Sequence, residues 1–528
     1  MTLSLEQQIG QMVMAQAFGR FRSTATAEFR ALRSLVTDSG IGGFKLYHGY
    51  ALGTLLLVSH LQRAATSPLF IAADLEQGLG QQVADAPRFP PLAALGAIGD
   101  PDLAYRAGVA VASEALQLGI NTLFGPLLDL HHAQDAYFGS RSLGSRPEAV
   151  AELGMAWARG VREAGALPVV KYFPGHGRQH LLPDGSSVVD ASGDVLAQSD
   201  WRPFCKTIQA GLPAIMVSHG AYPWLDATGW PSAAGTVPAA LSPVIVDGWL
   251  RQRLGFEGLI VSDALNLPFL RRAFTARQIA RQAAAAGVDL LVALSHPEDA
   301  KEAMAGIGDA LAAGEIDPAG IARAADRILN LKIGLGRSPI LYTGDDPPAK
   351  SLGSDETLAL IEEIAARSIC LLKCPDEGFP LRQRPLTLPA IVVGSAEQRD
   401  RIRRDRYRPW HATALPEGVE LNVTEFSPGV SLERLNPLPS GAPVLLMPLA
   451  TDAAEGLASL ARELWERDIQ PILLLPLAPN AARRLAHLGW ASIWLADADE
   501  ACRAAALDLV FGGEASRRSQ PRLTHREV

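Results

Sequence analysis

The stretch LPVVKYFPGHG, residues 167–177, shows the pattern that decides how the N-terminal part of this chain folds. It begins with the apolar run LPVV and passes at once to Lys171 and Tyr172, before a loop containing Pro and Gly. A continuous apolar run, rather than an alternating one, is typical of a strand buried on both faces of a parallel sheet. Polar groups that directly follow such a strand lie at the carboxyl edge of the sheet, where α/β proteins place their binding sites.

The same pattern occurs eight times before residue 335. The gaps between successive runs leave room for a loop, a helix and the next strand. Ala-rich stretches fill these gaps, and around residues 99–119 Asp100, Pro101 and Gly119 supply typical helix start and stop signals. Eight strand–helix units predict an α/β fold with a (β/α)8 barrel rather than an open sheet. The runs are QMVMAQ (11–16), IGGFKLY (41–47), LFIAAD (69–74), NTLFGPLLD (121–129), LPVVKY (167–172), AIMVSH (214–219), GLIVSD (258–263) and VDLLVAL (288–294).

A second α/β pattern follows a stretch rich in Gly, Pro and Asp, residues 336–355, which we interpret as a linker. We therefore expect a barrel domain over 1–335, a smaller α/β sandwich-type domain over 356–515 and a polar tail over 516–528. The predicted strands of the second domain are SICLLK (368–373), PAIVVG (389–394), PVLLMPL (443–449), QPILLLP (470–476) and ASIWLA (491–496), and the predicted helices are 452–466 and 479–488.

The overall composition excludes several classes of protein. Of the 528 residues, 48% are hydrophobic and 20% charged, which excludes wholesale disorder. The net charge of −8, with no basic stripe, argues against a nucleic-acid partner. We see no secretory signal, no apolar stretch of membrane-spanning length and only four cysteines, so we expect a cytoplasmic protein with free thiols and no membrane partner. The oligomeric state does not follow from the sequence.

Ionisable residues follow several of the predicted strands, and a barrel would gather them at one rim. They include Asp74, Asp129, Lys171, His219 and Asp263. Fixed carboxylates and a cation suit the hydroxyls of a sugar, and glycoside cleavage needs one carboxylate together with a proton donor. The residues therefore favour a small-molecule or oligosaccharide substrate.

Signatures of cofactors are missing from the sequence. There is no phosphate-binding loop, and no dinucleotide-binding glycine motif follows the first strand, so we expect no organic cofactor. His176 and His180 have the i,i+4 spacing of a helical metal site. However, Pro174 and Gly175 place the pair in a loop, so we predict no metal.

The order of several motifs resembles glycoside hydrolase family 3, in particular its β-N-acetylglucosaminidase (β-hexosaminidase) branch. The resemblance covers about residues 5–335 and extends more loosely through the second domain from ARSICLLK (366–373) onward. The motifs are IAADLEQG (71–78), GPLLDL (125–130), SRSLG (140–144), VVKYFPGHG (169–177), IMVSH (215–219) and FEGLIVSDAL (256–265).

This resemblance implies a retaining exo-glycosidase that releases terminal β-linked N-acetylglucosamine. It implies that Asp263 is the nucleophile, which forms a glycosyl ester that water then hydrolyses. We expect His176 to brace its loop, and His219 either to hydrogen-bond near the nucleophile or to be a core histidine. The residues that the resemblance assigns to sugar binding are Asp74, Arg141 and Lys171, with Tyr172 in place of the family's histidine in its Lys–His pair. We also count His219 among the candidate substrate-binding residues.

The sequence departs from the family at the proton donor. The branch carries Asp-Ser-His after its PGHG loop, but here Leu182 stands where the Asp is expected and Asp184 where the His is expected. Several readings remain open. His180 and Asp184 form a rearranged pair, or Asp184 acts alone with a pKa raised on loop closure. Alternatively the acid is missing and the protein is an impaired, sugar-binding one, or a glutamate of the second domain serves, as in the glucosidase branch. β-Glucosidase activity is a further alternative.

Overall fold

The computed structural model describes residues 3–132, 139–292, 296–335, 352–375, 379–381, 386–393, 419–426, 442–448, 454–476, 482, 484–496 and 500–511. The chain divides into two compact units. The first comprises 1–89, 101–135 and 146–355, and the second comprises 90–100, 136–145 and 356–528. The predicted linker lies largely outside the described residues, and the predicted tail lies wholly outside them.

The first unit is an eight-stranded parallel barrel, as predicted. Strands β1 to β8 pair in chain order, β8 pairs with β1, and β7 meets β8 through a parallel bridge between Val261 and Leu290. The backbone bond from Leu290 N–H to the Ile260 carbonyl closes the ring. The strands are β1 Val13–Phe18, β2 Gly43–Tyr47, β3 Phe70–Ala73, β4 Thr122–Leu127, β5 Leu167–Phe173, β6 Ala214–Val217, β7 Leu259–Ser262 and β8 Leu291–Val292.

Helices connect these strands where the Ala-rich stretches predicted them. The helix Pro101–Gln117 begins at its proline and is followed by Gly119, whose φ of 75° is a conformation that favours glycine. The helices of the first unit are Leu5–Gln11, Ala27–Thr37, Ala51–Ala64, Pro101–Gln117, Pro147–Glu163, Gly193–Gln198, Arg202–Gln209, Pro268–Ala273, Ala276–Ala285, Pro297–Ala312 and Pro318–Leu335, with a π-helical segment at Val244–Arg253.

The second unit contains a six-stranded sheet in the order β9–β14–β13–β12–β10–β11, in which only β9 pairs antiparallel to its neighbour. Strand β11 was not predicted, because VELNVTEF lacks the continuous apolar run of the other strands. The strands are β9 Cys370–Lys373, β10 Leu386–Val393, β11 Val419–Phe426, β12 Pro443–Pro448, β13 Gln470–Leu475 and β14 Ala491–Trp494, and the helices are Leu92–Ile98, Asp355–Ser368, Ala454–Glu466 and Glu500–Phe511. This sheet confirms the predicted second α/β fold.

Two connections build up the rim of the barrel at the carboxyl ends of its strands. After β5 the chain forms a short hairpin, in which His180–Leu181 pairs with Ser187–Val188. The loop after β6 lies alongside this hairpin, since the Val189 N–H donates to the Ala221 carbonyl at 2.8 Å. Loops of neighbouring strands thus form one hydrogen-bonded layer over the barrel mouth.

Candidate active site

Four charged side chains meet inside the barrel mouth. Lys171 Nζ lies 2.6 Å from Asp74 Oδ1 and 2.8 Å from Glu76 Oε1, and Lys45 Nζ lies 2.8 Å from Asp74 Oδ2. Gln81 Nε2 donates a hydrogen bond to Glu76 Oε2 at 3.1 Å and so holds the Glu76 side chain in place. Two ammonium groups therefore balance two carboxylates, and each oxygen of Asp74 receives a lysine.

The environment of this charge cluster keeps Asp74 and Lys45 ionised. Burial acts to raise the pKa of Asp74, but the ammonium groups of Lys171 and Lys45 outweigh it and hold that pKa well below its usual range. Burial acts to lower the pKa of Lys45, and Asp74 in turn raises it above its ordinary value. The Lys171 side chain is fully buried, whereas 19% of the Asp74 side chain is exposed. A solvent molecule or a sugar hydroxyl can thus reach the carboxylate but not the Lys171 ammonium.

Asp263, the predicted nucleophile, directly follows β7 and is half-buried. Its backbone N–H donates to the Val217 carbonyl at 3.0 Å, which continues the ladder between β6 and β7 past the end of the strand. The N–H of Ala264 donates to Oδ1 at 2.7 Å. Asp263 is therefore partly accessible at the barrel mouth rather than sealed beneath packed hydrocarbon.

Two buried histidines stand close enough to Asp263 to interact with its charge. Burial lowers the pKa of His176 to about 4, although the Asp263 carboxylate acts to raise it. Burial also lowers the pKa of His219, against the same carboxylate. His219 Nε2 lies 3.0 Å from the Ala264 carbonyl, which fixes Nε2 as the protonated nitrogen of the neutral ring. Both imidazoles are therefore neutral at pH 7 next to the candidate nucleophile.

The loop after β5 is tied to the loop after β4 by Asp129. Asp129 accepts hydrogen bonds from the backbone N–H groups of Tyr172 and His176. His176 Nε2 lies 2.8 Å from Ser187 Oγ, and Tyr222 donates to the Gly175 carbonyl at 3.0 Å. These contacts agree with the expectation that His176 braces its loop.

The hairpin holds the two predicted proton donors, and among the described residues neither faces a partner suited to that role. His180 is exposed. Asp184 accepts hydrogen bonds from Ser186 N at 2.9 Å, Ser186 Oγ at 2.6 Å and Ala233 N at 2.8 Å. The bonds from Ala233 and Ser186 lower the pKa of Asp184, whereas a lone carboxylic acid catalyst needs a raised one. In this conformation Asp184 fastens the hairpin tip.

Arg141, the remaining predicted sugar-binding residue, ends the short 3₁₀ turn Gly139–Arg141. That turn lies in segment 136–145, which groups with the second compact unit. Its assignment to sugar binding stays a prediction.

The residues that the structure describes show neither a metal-binding cluster nor a membrane-spanning helix. Over those ranges, no three His, Cys, Asp or Glu side chains are grouped so as to hold a metal ion. None of the described helices combines the length and the apolar character needed to cross a bilayer.

Sequence reasoning missed Lys45 and Glu76 as members of the site. A signal for Lys45 was present, because a lysine inside the apolar run IGGFKLY has to find an anionic or hydroxyl partner. Glu76 lies two residues after Asp74, beyond the end of its strand, and looked like part of a loop.

Comparisons with known proteins agree with this architecture. A model of the glycosyl hydrolase family 3 N-terminal domain matches residues 4–331. A β-N-acetylglucosaminidase/β-glucosidase of Cellulomonas fimi is 31% identical over 388 residues, which are 70% of this chain and 65% of that protein. A β-hexosaminidase of Chromobacterium violaceum is 34% identical over 263 residues, which are 48% of this chain and 70% of that protein. The chain thus spans slightly less than two thirds of the first of these relatives.

Among solved structures, a family 3 β-N-acetylglucosaminidase from Paenibacillus sp. str. FPU-7 matches with a TM-score of 0.82 and 27% identity, over 97% of each chain. The fold and the matched domain place the chain in the class of glycoside hydrolases built on a (β/α)8 barrel. The chain belongs to glycosyl hydrolase family 3. The family and fold class expected from the sequence are thereby confirmed.

Proposed function

We propose that the protein is a retaining exo-glycosidase that hydrolyses terminal β-linked N-acetylglucosamine through Asp263. One observation carries the proposal: a half-buried carboxylate at the end of β7 shares the barrel mouth with the Asp74 charge cluster. The names of the Cellulomonas fimi and Paenibacillus relatives support the choice of sugar.

In the proposed reaction, Asp74 accepts hydrogen bonds from sugar hydroxyls and fixes the ring at the mouth. An oxygen of Asp263 attacks C1, the bond from C1 to the leaving oxygen breaks, and a glycosyl ester forms. Water then attacks the same carbon and releases the sugar and the Asp263 carboxylate. Each displacement inverts the configuration at C1, so the two together retain it.

We place no acid at the leaving oxygen, because hydrogen bonds from Ser186 and Ala233 favour the ionised form of Asp184 and His180 is exposed. A barrel without a positioned acid loses about 10²- to 10⁴-fold in rate on natural glycosides. Aryl glycosides with acidic phenols suffer much less, since their leaving oxygen needs no proton. We therefore expect activated substrates to be strongly preferred.

Release of p-nitrophenol from the aryl N-acetylglucosaminide tests this proposal. We expect turnover by the wild type and none by Asp263→Ala, with binding of N-acetylglucosamine retained in the variant by calorimetry. A fluorinated N-acetylglucosaminyl substrate that slows ester hydrolysis should label Asp263. Labelling of another residue, or undiminished turnover by Asp263→Ala, would overturn the mechanism.

Two alternatives are measured in the same assays. The hydrogen bonds that lower the pKa of Asp184 make it a poor acid, which favours an impaired, sugar-binding protein. Such a protein would bind the monosaccharide without turning over any aryl glycoside. The double name of the Cellulomonas fimi relative favours a β-glucosidase activity, which the aryl glucoside would reveal.

A further inference from the structure

We propose that Lys45 is a substrate-binding residue, which donates a hydrogen bond to a hydroxyl on the C3–C4–C6 edge of the bound sugar. This inference rests on the proposed function and adds a contact that the family motifs in the sequence did not include. It assigns to Lys45 a role different from that of Lys171, although both lysines bind the same carboxylate.

The position of Lys45 places its ammonium in the lumen of the barrel. Lys45 lies in the middle of β2 and Lys171 lies on β5, and two further strands separate β2 from β5 in the sheet. Both lysines nevertheless reach Asp74, at the end of β3. Side chains from strands that are not neighbours meet in this way only when they point inward, so the charge cluster stands inside the mouth.

The Lys45 ammonium has hydrogen-bonding capacity that its protein contacts do not use. Of its three N–H donors, one is accounted for by Asp74 Oδ2 at 2.8 Å. Nζ otherwise lies 4.9 Å from the ring centroid of Tyr47 and 5.4 Å from that of Phe124. Within the part of the chain that the structure describes, no second acceptor contacts it. Its neighbours on these sides are therefore aromatic faces, and a ligand oxygen would complete its hydrogen bonding.

The two lysines differ in their access to a ligand. The side chain of Lys171 is 0% exposed and contacts two carboxylates, Asp74 and Glu76. The side chain of Lys45 is 9% exposed and contacts one carboxylate, itself 19% exposed. Lys171 is thus a positioning residue for Asp74, and Lys45 is the lysine that a sugar can touch.

The geometry of an eight-stranded ring predicts which edge of the sugar Lys45 meets. Strands β3 and β7 lie four positions apart in the ring, so Asp74 and Asp263 stand on opposite sides of the mouth. In a pyranose, C4 lies across the ring from C1. A sugar with C1 at Asp263 therefore presents its C3–C4–C6 edge to Asp74 and Lys45.

Binding of deoxy sugars tests this contact without requiring catalysis. Calorimetry would measure the Kd of N-acetylglucosamine and of its 3-, 4- and 6-deoxy analogues for the wild type and Lys45→Met. We expect the variant to bind the parent sugar about 10- to 100-fold more weakly, as for loss of a hydrogen bond to a charged group. For one deoxy analogue the loss caused by Lys45→Met should be clearly smaller than for the parent sugar, because that analogue lacks the oxygen that Lys45 contacts.

A structural role for Lys45 predicts a different result. If Lys45 only holds Asp74 in place, Lys45→Met and Asp74→Asn should lose their effect with the same deoxy analogue, and the proposal is then wrong; a contact made by Lys45 itself predicts different analogues. Lys301→Met, at an exposed lysine of the helix Pro297–Ala312, is the matched control and should bind all four sugars like the wild type. Failure of the wild type to bind either N-acetylglucosamine or glucose would instead count against the proposed function.

Discussion

At the scale of single residues, the site is organised by charges that are removed from water together. Lys171 is fully buried and contacts Asp74 and Glu76 at 2.6 and 2.8 Å. A buried charge is stable only when it is paired, because desolvation costs several kcal/mol per ion. The same contacts that hold Asp74 for a substrate therefore also stabilise the barrel.

Removal of the Lys171 charge is expected to destabilise the fold. In Lys171→Met the carboxylates of Asp74 and Glu76 face each other with Lys45 alone to balance them, at a cost of about 3–5 kcal/mol in the free energy of unfolding. Urea denaturation measures this loss. The double variant with Glu76→Gln should recover part of it, since one uncompensated charge is then gone. Simple additivity of the two losses would contradict this explanation.

His176 predicts a pH dependence of stability. Its pKa is lowered from 6.5 to about 4 in the folded protein, so between these pH values the unfolded chain binds more protons. The His176 contribution is fully present above pH 6.5 and is lost as the pH falls towards 4. The loss amounts to about 3 kcal/mol.

Urea denaturation of the wild type and His176→Gln at several pH values checks this contribution. The difference between their free energies of unfolding should change by that amount in favour of the variant as the pH falls. Parallel pH profiles of the two proteins would contradict the explanation.

At the scale of elements, the hairpin after β5 carries both predicted proton donors, His180 and Asp184. Its tip is fastened to the loop after β6 by the bond from Ala233 N to Asp184 Oδ2, and Arg272 Nη1 lies 3.2 Å from the Asp184 carbonyl. Three connections, after β5, β6 and β7, thus meet at one residue, Asp184. Asp184 therefore ties these loops together.

Substitution of Asp184 is expected to loosen the hairpin. In Asp184→Ala the N–H groups of Ser186 and Ala233 lose their acceptor, so amide hydrogen exchange should speed up around 182–186 and 231–234. Turnover of dinitrophenyl and unactivated N-acetylglucosaminides should change by the same factor, since the residue supplies no proton. A selective loss on the unactivated substrate would instead identify Asp184 as the acid.

At the scale of the whole barrel, the end opposite the site is closed around a third buried lysine, Lys332. Lys332, on the last helix of the first unit, donates to Gln11 Oε1 at 2.7 Å and to the Gly42 carbonyl at 2.6 Å. Its Nζ also lies 5.0 Å from the ring centroid of Phe70. These contacts join the final helix to the residues before β1 and β2, and so connect the ends of the barrel sequence.

Lys332 gives the barrel a pH dependence at alkaline pH. Burial lowers its pKa from 10.5 to about 7, so between pH 7 and 10.5 the unfolded chain binds the extra proton. The Lys332 contribution to the free energy of unfolding therefore rises with pH across this window. Chemical denaturation of wild type and Lys332→Met should show a difference that grows in favour of the wild type from pH 7 to 10.5. A constant difference would show that the amine titrates normally.

The sequence by itself determined the barrel, the second α/β fold and the family. All eight barrel strands lie within or next to the apolar runs, because burial on both faces of a parallel sheet leaves a local signature in hydrophobicity. The polar strand ends also identified Asp74, Lys171 and Asp263, since the carboxyl ends of parallel strands meet at one rim. Strand β11 was not predicted, because its sequence lacks this hydrophobic signature.

Only the tertiary structure decided how the charges pair. Lys45 and Lys171 are 126 positions apart in sequence and reach the same carboxylate from strands that do not touch. Asp184 accepts a hydrogen bond from the Ala233 N–H on another loop, and no local sequence pattern predicts that contact. Hydrophobic periodicity reports what a segment buries, whereas an ion pair or a hydrogen bond between distant segments depends on where the closed barrel brings their ends.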